Sequence, residues 1–358
     1  AAAAKAAYER WLSPLANIPG PLLYAVSGLP LQYQILRGQM PALLLALHAR
    51  YGPIVRVGPR RVSVSEIGAI RHILGTNGYR KTRVFGMTQV FTPNTLTTLS
   101  PAVSAERRRL LGPGFAHGRL RDMEAAILQC GVTNLHQAID ARLQDGCATI
   151  QYKDLFTLAA FDTIGALAFG EDFGALRAGT HELLPALEYA RNIGHLNAAI
   201  PLLGWAGALL RVVPRPLHLL AQFASDAISR RQRDGAGTAA PDLLQLMLDA
   251  SQGDGSGAVL THADMVSETA VLLNAGMETT AITTACAVLL LLHNPHILGR
   301  LAAEIRQKFP ADSAAPITYD DCREQLPLLS AVINESLRLF SPAPFVTRRV
   351  PAGGAAVL

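Results

Sequence analysis

The spacing of apolar and polar positions predicts a chain built mostly from helices. Apolar residues recur at helical intervals over 40–50, 102–111, 118–143, 153–168, 181–197, 215–233, 242–251 and 328–340, with Pro41 in the first turn of the first stretch. Two short runs, 54–57 and 62–65, flank Gly58-Pro59 and predict a hairpin. A hairpin needs further strands to be stable, and the chain offers few, the clearest being 345–350. Residues 76–100 are rich in Gly, Thr, Asn and Pro and predict a long loop, a kind of segment that is usually functional. The stretches 234–241 and 253–257 predict surface connections.

The longest pattern is 261–293. Thr261 is placed to cap it, with Asp264 three residues on, and Asn294-Pro295 ends it. About 31 residues at ~1.5 Å each span roughly 46 Å, the width of a large domain. From Ala270 to Leu292 the only charge is Glu278. A membrane-crossing helix and the central helix of a soluble core both fit. The glutamate favours the core, because a carboxylate in mid-span is costly in lipid. A second apolar stretch, 198–213, is interrupted by Pro201 and Gly204. It is expected either to pack in a core or to dip into a membrane interface, with Trp205 and Arg211 as anchors.

Composition sharpens this picture. Half of the 358 residues are apolar and 16% are charged, enough to bury a large core, and the abundance of Ala and Leu favours a mainly α fold. The net charge of +5 is concentrated in clusters such as Arg107-Arg108-Arg109 and Arg230-Arg231-Gln232-Arg233. These read as solvated helix faces, or as contacts for anionic lipid, an acidic partner or the anionic groups of a cofactor. Nucleic acid is disfavoured, since no basic stripe is interleaved with aromatics. Cys130, Cys147, Cys286 and Cys322 match no zinc or disulfide spacing, which fits a reducing compartment. The chain begins Ala1-Ala2-Ala3-Ala4-Lys5 and stops at Val357-Leu358, so both ends read as the ends of a fragment, and no signal peptide is visible. No phosphate-binding glycine loop and no nucleophile elbow occurs.

Candidate chemistry lies in Ala275-Gly276-Met277-Glu278-Thr279-Thr280. Small residues at 275 and 276 would let a bulky ligand approach the backbone. Thr279 can bond back to the carbonyl of Ala275, which is expected to loosen and interrupt the helix there. Glu278 and Thr279 would then stand side by side as a proton relay. Further along, Glu335 and Arg338 lie three apart on one helical face and are expected to form a partly buried ion pair among apolar neighbours. Arg348, after Pro342 and Pro344, and the triplet Arg107–Arg109 could supply forked hydrogen bonds to the carboxylates of a cofactor.

In order and spacing these pieces resemble the cytochrome P-450 family of haem-thiolate monooxygenases, in its fungal microsomal form. Ala275–Thr280 is similar to the oxygen-activating stretch of that family's long central helix. Glu335-Ser336-Leu337-Arg338, which starts 57 residues after Glu278, is similar to its Glu-x-x-Arg pair, and residues 341–351 to the segment that follows it. Ile18-Pro19-Gly20-Pro21 resembles the proline hinge after a membrane anchor, Tyr51–Val57 the first strand, and 160–170 a mid-chain helix.

The resemblance implies a cytochrome P-450 fold: a partial pre-hinge segment over 1–17, then a single domain over 18–358. It implies oxygen activation at Glu278 and Thr279, a haem lying against Ala275 and Gly276, haem propionates on Arg108 and Arg348, and a structural pair at Glu335 and Arg338. The implied partners are a lipophilic small-molecule substrate, O2, an NADPH-dependent reductase and a membrane surface, at the cytoplasmic face of the endoplasmic reticulum. The chain departs from the pattern at Ser104, where the family usually has Trp or His four residues before the arginine at 108, and most of all at the haem loop. None of its four cysteines stands in the family's Phe-x-x-Gly-x-Arg-x-Cys-x-Gly haem loop, so it is expected to be inactive as it stands, with a helical remnant or a helical membrane or transport protein as the alternatives.

Overall fold

The computed structural model describes residues 2–76, 78–147, 149–200, 214–234, 242–252, 260–310, 316–343 and 346–350. They fall into two compact units. Unit 1 comprises 1–88, 192–212 and 345–358, and unit 2 comprises 89–191 and 213–344.

In unit 1, helices α1 (Leu29–Leu36) and α2 (Met40–Tyr51) precede the antiparallel hairpin β1 (Ile54–Gly58) and β2 (Arg61–Val64), followed by α3 (Ile67–Gly75). Its core is Leu31 and Leu47 from the helices against Val55 and Val57 from β1, with Tyr24, Ile35 and Leu44 around them. Between the two valines Arg56 points the other way and is also buried. It binds the Glu9 carboxylate at 3.0 Å and donates to the carbonyls of Glu9 and Pro59 at 2.6 and 2.8 Å. A buried guanidinium is tolerated only when its donors are so satisfied. The Pro-Gly-Pro segment runs along this strand: the Arg56 N–H donates to the Pro19 carbonyl at 2.7 Å. A Cβ on Gly20 would come within 2.4 Å of the Arg56 carbonyl oxygen, so only glycine allows that approach.

The expected loop over 76–100 contains regular structure: strand β3 (Arg80–Lys81) and a short helix, Arg83–Met87. β3 pairs antiparallel with β4 (Arg348–Arg349), and the hydroxyls of Thr82 and Thr347 meet at 2.7 Å. Partners this far apart in sequence leave no local pattern. The expected strand over 345–350 is thus reduced to two residues, and residue 345 lies outside the described residues.

Unit 2 is a helical assembly. Its main elements are α4 (Pro101–Leu111), α5 (Tyr152–Phe169), most of α6 (Leu183–Ala199), α7 (Arg215–Asp234), α8 (Leu243–Gln252), α9 (His262–His293), α10 (Pro295–Lys308) and α11 (Pro327–Leu339). One core joins Leu111, Leu158, Phe161, Leu187, Leu220, Ile228, Met247, Leu273 and Met277. Within α5, Asp162 is fully buried because its carboxylate accepts the N–H groups of Ala175 and Leu176 at 2.8 and 2.9 Å, capping a helical turn.

The single helix expected over 118–143 is divided, with a π-helical turn at Leu128–Thr133. A Cβ on Gly131 would lie 2.8 Å from the Thr163 hydroxyl, so the glycine lets this turn close on α5. The apolar stretch over 198–213 and the connections over 234–241 and 253–257 lie largely outside the described residues.

Candidate active site

Helix α9 organises the site. Thr261 accepts the Asp264 N–H at 3.1 Å while the Asp264 carboxylate accepts the Thr261 N–H at 3.2 Å, closing the expected capping box. The helix is long and apolar enough to cross a membrane by length and composition. Its first half is core: Met265 through Ala270 are buried, and a stripe continues through Leu273, Met277, Ala281 and Ala285.

One arginine fixes this first half in place. Arg107, from α4, is buried and binds Asp264 and Glu268 at 2.6 Å each. The buried Glu268 also accepts the Thr95 N–H at 2.7 Å, which ties the 92–98 segment to α9. Burial works to raise the Asp264 pKa, but the hydroxyl and N–H of Thr261, with Arg107, hold it below the ordinary aspartate range.

The sequence-predicted residues lie one turn beyond the locked half. The Thr279 hydroxyl donates to the Ala275 carbonyl at 2.7 Å, as expected. The expected interruption is absent: α9 is α-helical from His262 to His293. Thr283 and Thr284 make the same back-bond, to Thr279 and Thr280, and the backbone ladder persists beneath all three. No proline and no inserted group opens the helix, so back-bonding alone does not break it.

Gly276 is half-buried and closes on α5. A Cβ there would lie 2.9 Å from Ile164, so its missing side chain serves the approach of two helices. Ala275, Thr279 and Ile282 are exposed, with Thr283 and Cys286 half-buried beside them. At spacings of four, three and four, Ala275, Thr279, Ile282 and Cys286 form one uncharged face opposite the buried stripe.

Glu278 stands between these faces and is not free. It is ion-paired with Arg191 of α6, which also lies 3.6 Å from Glu188. Helical spacing links Arg191 to Glu188, but its pairing with Glu278 leaves no local signal, because the two are 87 residues apart.

The arginine triplet divides its duties. Arg107 turns inward, Arg109 pairs with Glu106 at 2.6 Å, and Arg108 is exposed, its Nε donating to the Ser104 carbonyl at 3.2 Å. Among the described residues Arg108 meets no carboxylate. Glu335 and Arg338 form the expected pair, doubly hydrogen-bonded at 2.6 and 2.7 Å. It is not partly buried: the two side chains are 55% and 66% exposed. The amphipathic pattern placed it among apolar residues, but Ile333, Leu337, Leu339 and Phe340 are themselves uncovered. Arg348 belongs to unit 1, where its guanidinium lies over the Phe85 ring and donates to the Thr347 carbonyl at 3.1 Å.

A family model described as Cytochrome P450 matches residues 18–353. The chain belongs to the cytochrome P450 family. Among its relatives, cytochrome P450 monooxygenase ABA2 of Pyricularia oryzae is 31% identical over 371 residues, covering 97% of this chain and 68% of that protein. Cytochrome P450 monooxygenase acrD of Aspergillus aculeatus is 27% identical over 337 residues, covering 92% of this chain. Cytochrome P450 monooxygenase LUC2 of a Fusarium species is 30% identical over 336 residues, covering 91% of this chain. The chain spans 66% of the length of acrD and 64% of that of LUC2. The mainly α architecture agrees with the cytochrome P450 fold expected from the motifs.

Haem is the group this family implies. The open face at Ala275 and Thr279 suits a flat ring, and the exposed guanidinium of Arg108 suits its anionic edge. The sulfur donors fit less well. Burial pushes the thiols of Cys130 and Cys322 up, against the thiolate form that binds metal. No cluster of three metal-binding side chains occurs among the described residues.

Proposed function

We propose that these residues form the oxygen-activating part of a haem-dependent monooxygenase acting on a lipophilic small molecule, with O2 as co-substrate and electrons from a separate NADPH-dependent reductase. We place it at the membrane of the endoplasmic reticulum, facing the cytoplasm. The observation that carries this reading is the open face of α9, where Ala275 and the Thr279 hydroxyl lie beside an acid in a chain of this family. The family match runs through both units, in support of one cytochrome P450 domain.

When bound, haem supplies O2 activation and transfer of one oxygen atom into a C–H bond. The chain's own residues prepare that chemistry. Ala275 leaves room for the ring face, and the packing of Gly276 on Ile164 holds the wall in position. Arg108 is the proposed contact for the propionates. The Thr279 hydroxyl donates its hydrogen bond to the Ala275 carbonyl, so its lone pairs are free to accept from water or a reacting group. Glu278 would carry protons from solvent to that hydroxyl, and its pairing with Arg191 must open for it to do so.

None of the four cysteines in these 358 residues stands in the family's axial-thiolate pattern. That donor set favours a second reading, in which these residues alone are a helical remnant without activity. Reduced-CO difference spectroscopy of the chain with added haem tests this point. We expect no thiolate-type Soret band, and such a band would contradict the assignment.

A further inference from the structure

The first turn of α6 is held by a side chain that can take up a proton. Leu183 opens the helix and is fully buried, so its N–H has no carbonyl one turn back within the helix and is shielded from solvent. It donates to Nδ1 of His181 at 3.2 Å. A ring nitrogen that accepts from a backbone N–H carries no proton, so this contact fixes His181 as the neutral form with its hydrogen on Nε2. The His181 carbonyl accepts the Leu184 N–H at 3.1 Å, and one residue thus satisfies two of the free donors at this helix end.

The imidazole is set among aromatic rings. Its centroid lies 4.9 Å from that of the fully buried Phe161 of α5 and 5.6 Å from that of Phe173. The charged groups that face it are Glu182, exposed beside it in the chain, and Asp162 of α5, which is fully buried. In the segment after α5, Asp172 and Arg177 pair with each other at 2.7 Å. Burial holds the His181 pKa below the ordinary histidine range, against the pull of Glu182 and Asp162 toward the charged form.

A proton on Nδ1 turns this acceptor into a donor. It sets two N–H groups head to head, leaves the buried N–H of Leu183 without an acceptor and places a cation at the positive end of the helix dipole. The loss falls on the core, because Leu183, Ala186 and Leu187 of the same two turns are part of it. Further along, this helix carries Arg191, the partner of Glu278. We propose that His181 is an acid-sensitive latch: neutral, it pins the first turn of α6 beside α5, and protonated, it releases that turn.

Hydrogen exchange of the whole chain tests it, read by mass spectrometry on peptides covering 181–187, with each rate divided by the intrinsic rate at the same pH. The sign follows from which form binds the proton. The released turn binds it at the ordinary histidine value of about 6.5 and the latched turn only below that. Protection is therefore complete above the ordinary value and is lost as pH falls below it, until the latched form takes up the proton as well. Between about pH 7.5 and about pH 5.5 it should fall by up to about tenfold. Peptides from the buried first half of α9 should keep theirs. His181→Asn offers a side-chain carbonyl that can accept the same N–H and does not titrate, so its protection should be equal at the two pH values. Circular dichroism verifies the fold of the variant, and the wild-type series decides alone should the variant not fold.

Wild-type protection over 181–187 that does not change with pH would overturn the latch. So would an equal fall in H181N, which moves the proton to another group such as Asp162. A fall of the same size across α9 would make the acid effect global and would overturn it as well.

Discussion

Arg107 and Arg108 are consecutive in α4, yet only one of them holds the fold together. Arg107 is buried between Asp264 and Glu268, and removing it leaves the buried Glu268 carboxylate without its cation. Arg107→Ala should cost about 3–5 kcal/mol of unfolding free energy, read by denaturant titration. Arg108→Ala, at an exposed position, should stay within about 0.5 kcal/mol. The same cluster sets a pH dependence. The folded-state pKa of Asp264 is depressed, so its contribution is complete above the ordinary aspartate range and is lost as pH falls through the depressed value. Melting curves should show the deficit of Asp264→Asn constant near neutrality and shrinking in acid. A deficit that grows on acidification would reverse the assignment.

At the level of elements, the contact of α9 with α5 through Gly276 is the tightest constraint on the site. Alanine at 276 would gain about 1 kcal/mol in helix propensity, but its Cβ would press on the end of the Ile164 side chain. Valine adds more bulk and should destabilise by about 1–3 kcal/mol. Gly276→Val combined with Ile164→Ala should recover part of that loss, and a double-mutant cycle on unfolding free energies reads the coupling. Independent, additive effects would show that the two helices do not meet there.

The long helix itself was legible, because its caps and its apolar run are local signals: Thr261, Asp264 and Asn294-Pro295 stand where the pattern placed them. The back-bond of Thr279 was legible for the same reason. Features set by distant partners were not. The Arg191–Glu278 pair, the Arg107–Glu268 bridge and the β3–β4 pairing each join residues far apart in sequence. The exposure of Glu335 and Arg338 was missed differently: amphipathic spacing says which face is apolar and not whether anything covers it.

For the molecule as a whole, the motifs and their order placed the chain in its family, and the family match confirms that placement. What spacing did not convey is the division into two compact units, since no change of composition marks residues 88 or 191. The monooxygenase account depends on one face of one helix. Ala275 is exposed, so a tryptophan there leaves the core intact while filling the space a haem would need. Haem titration of the wild type and of Ala275→Trp, followed by Soret absorption with melting temperatures as a control, tests the account most directly. It predicts weak, saturable binding to the wild type and at least tenfold weaker binding to the variant at unchanged melting temperature. Equal binding by the two proteins would contradict it.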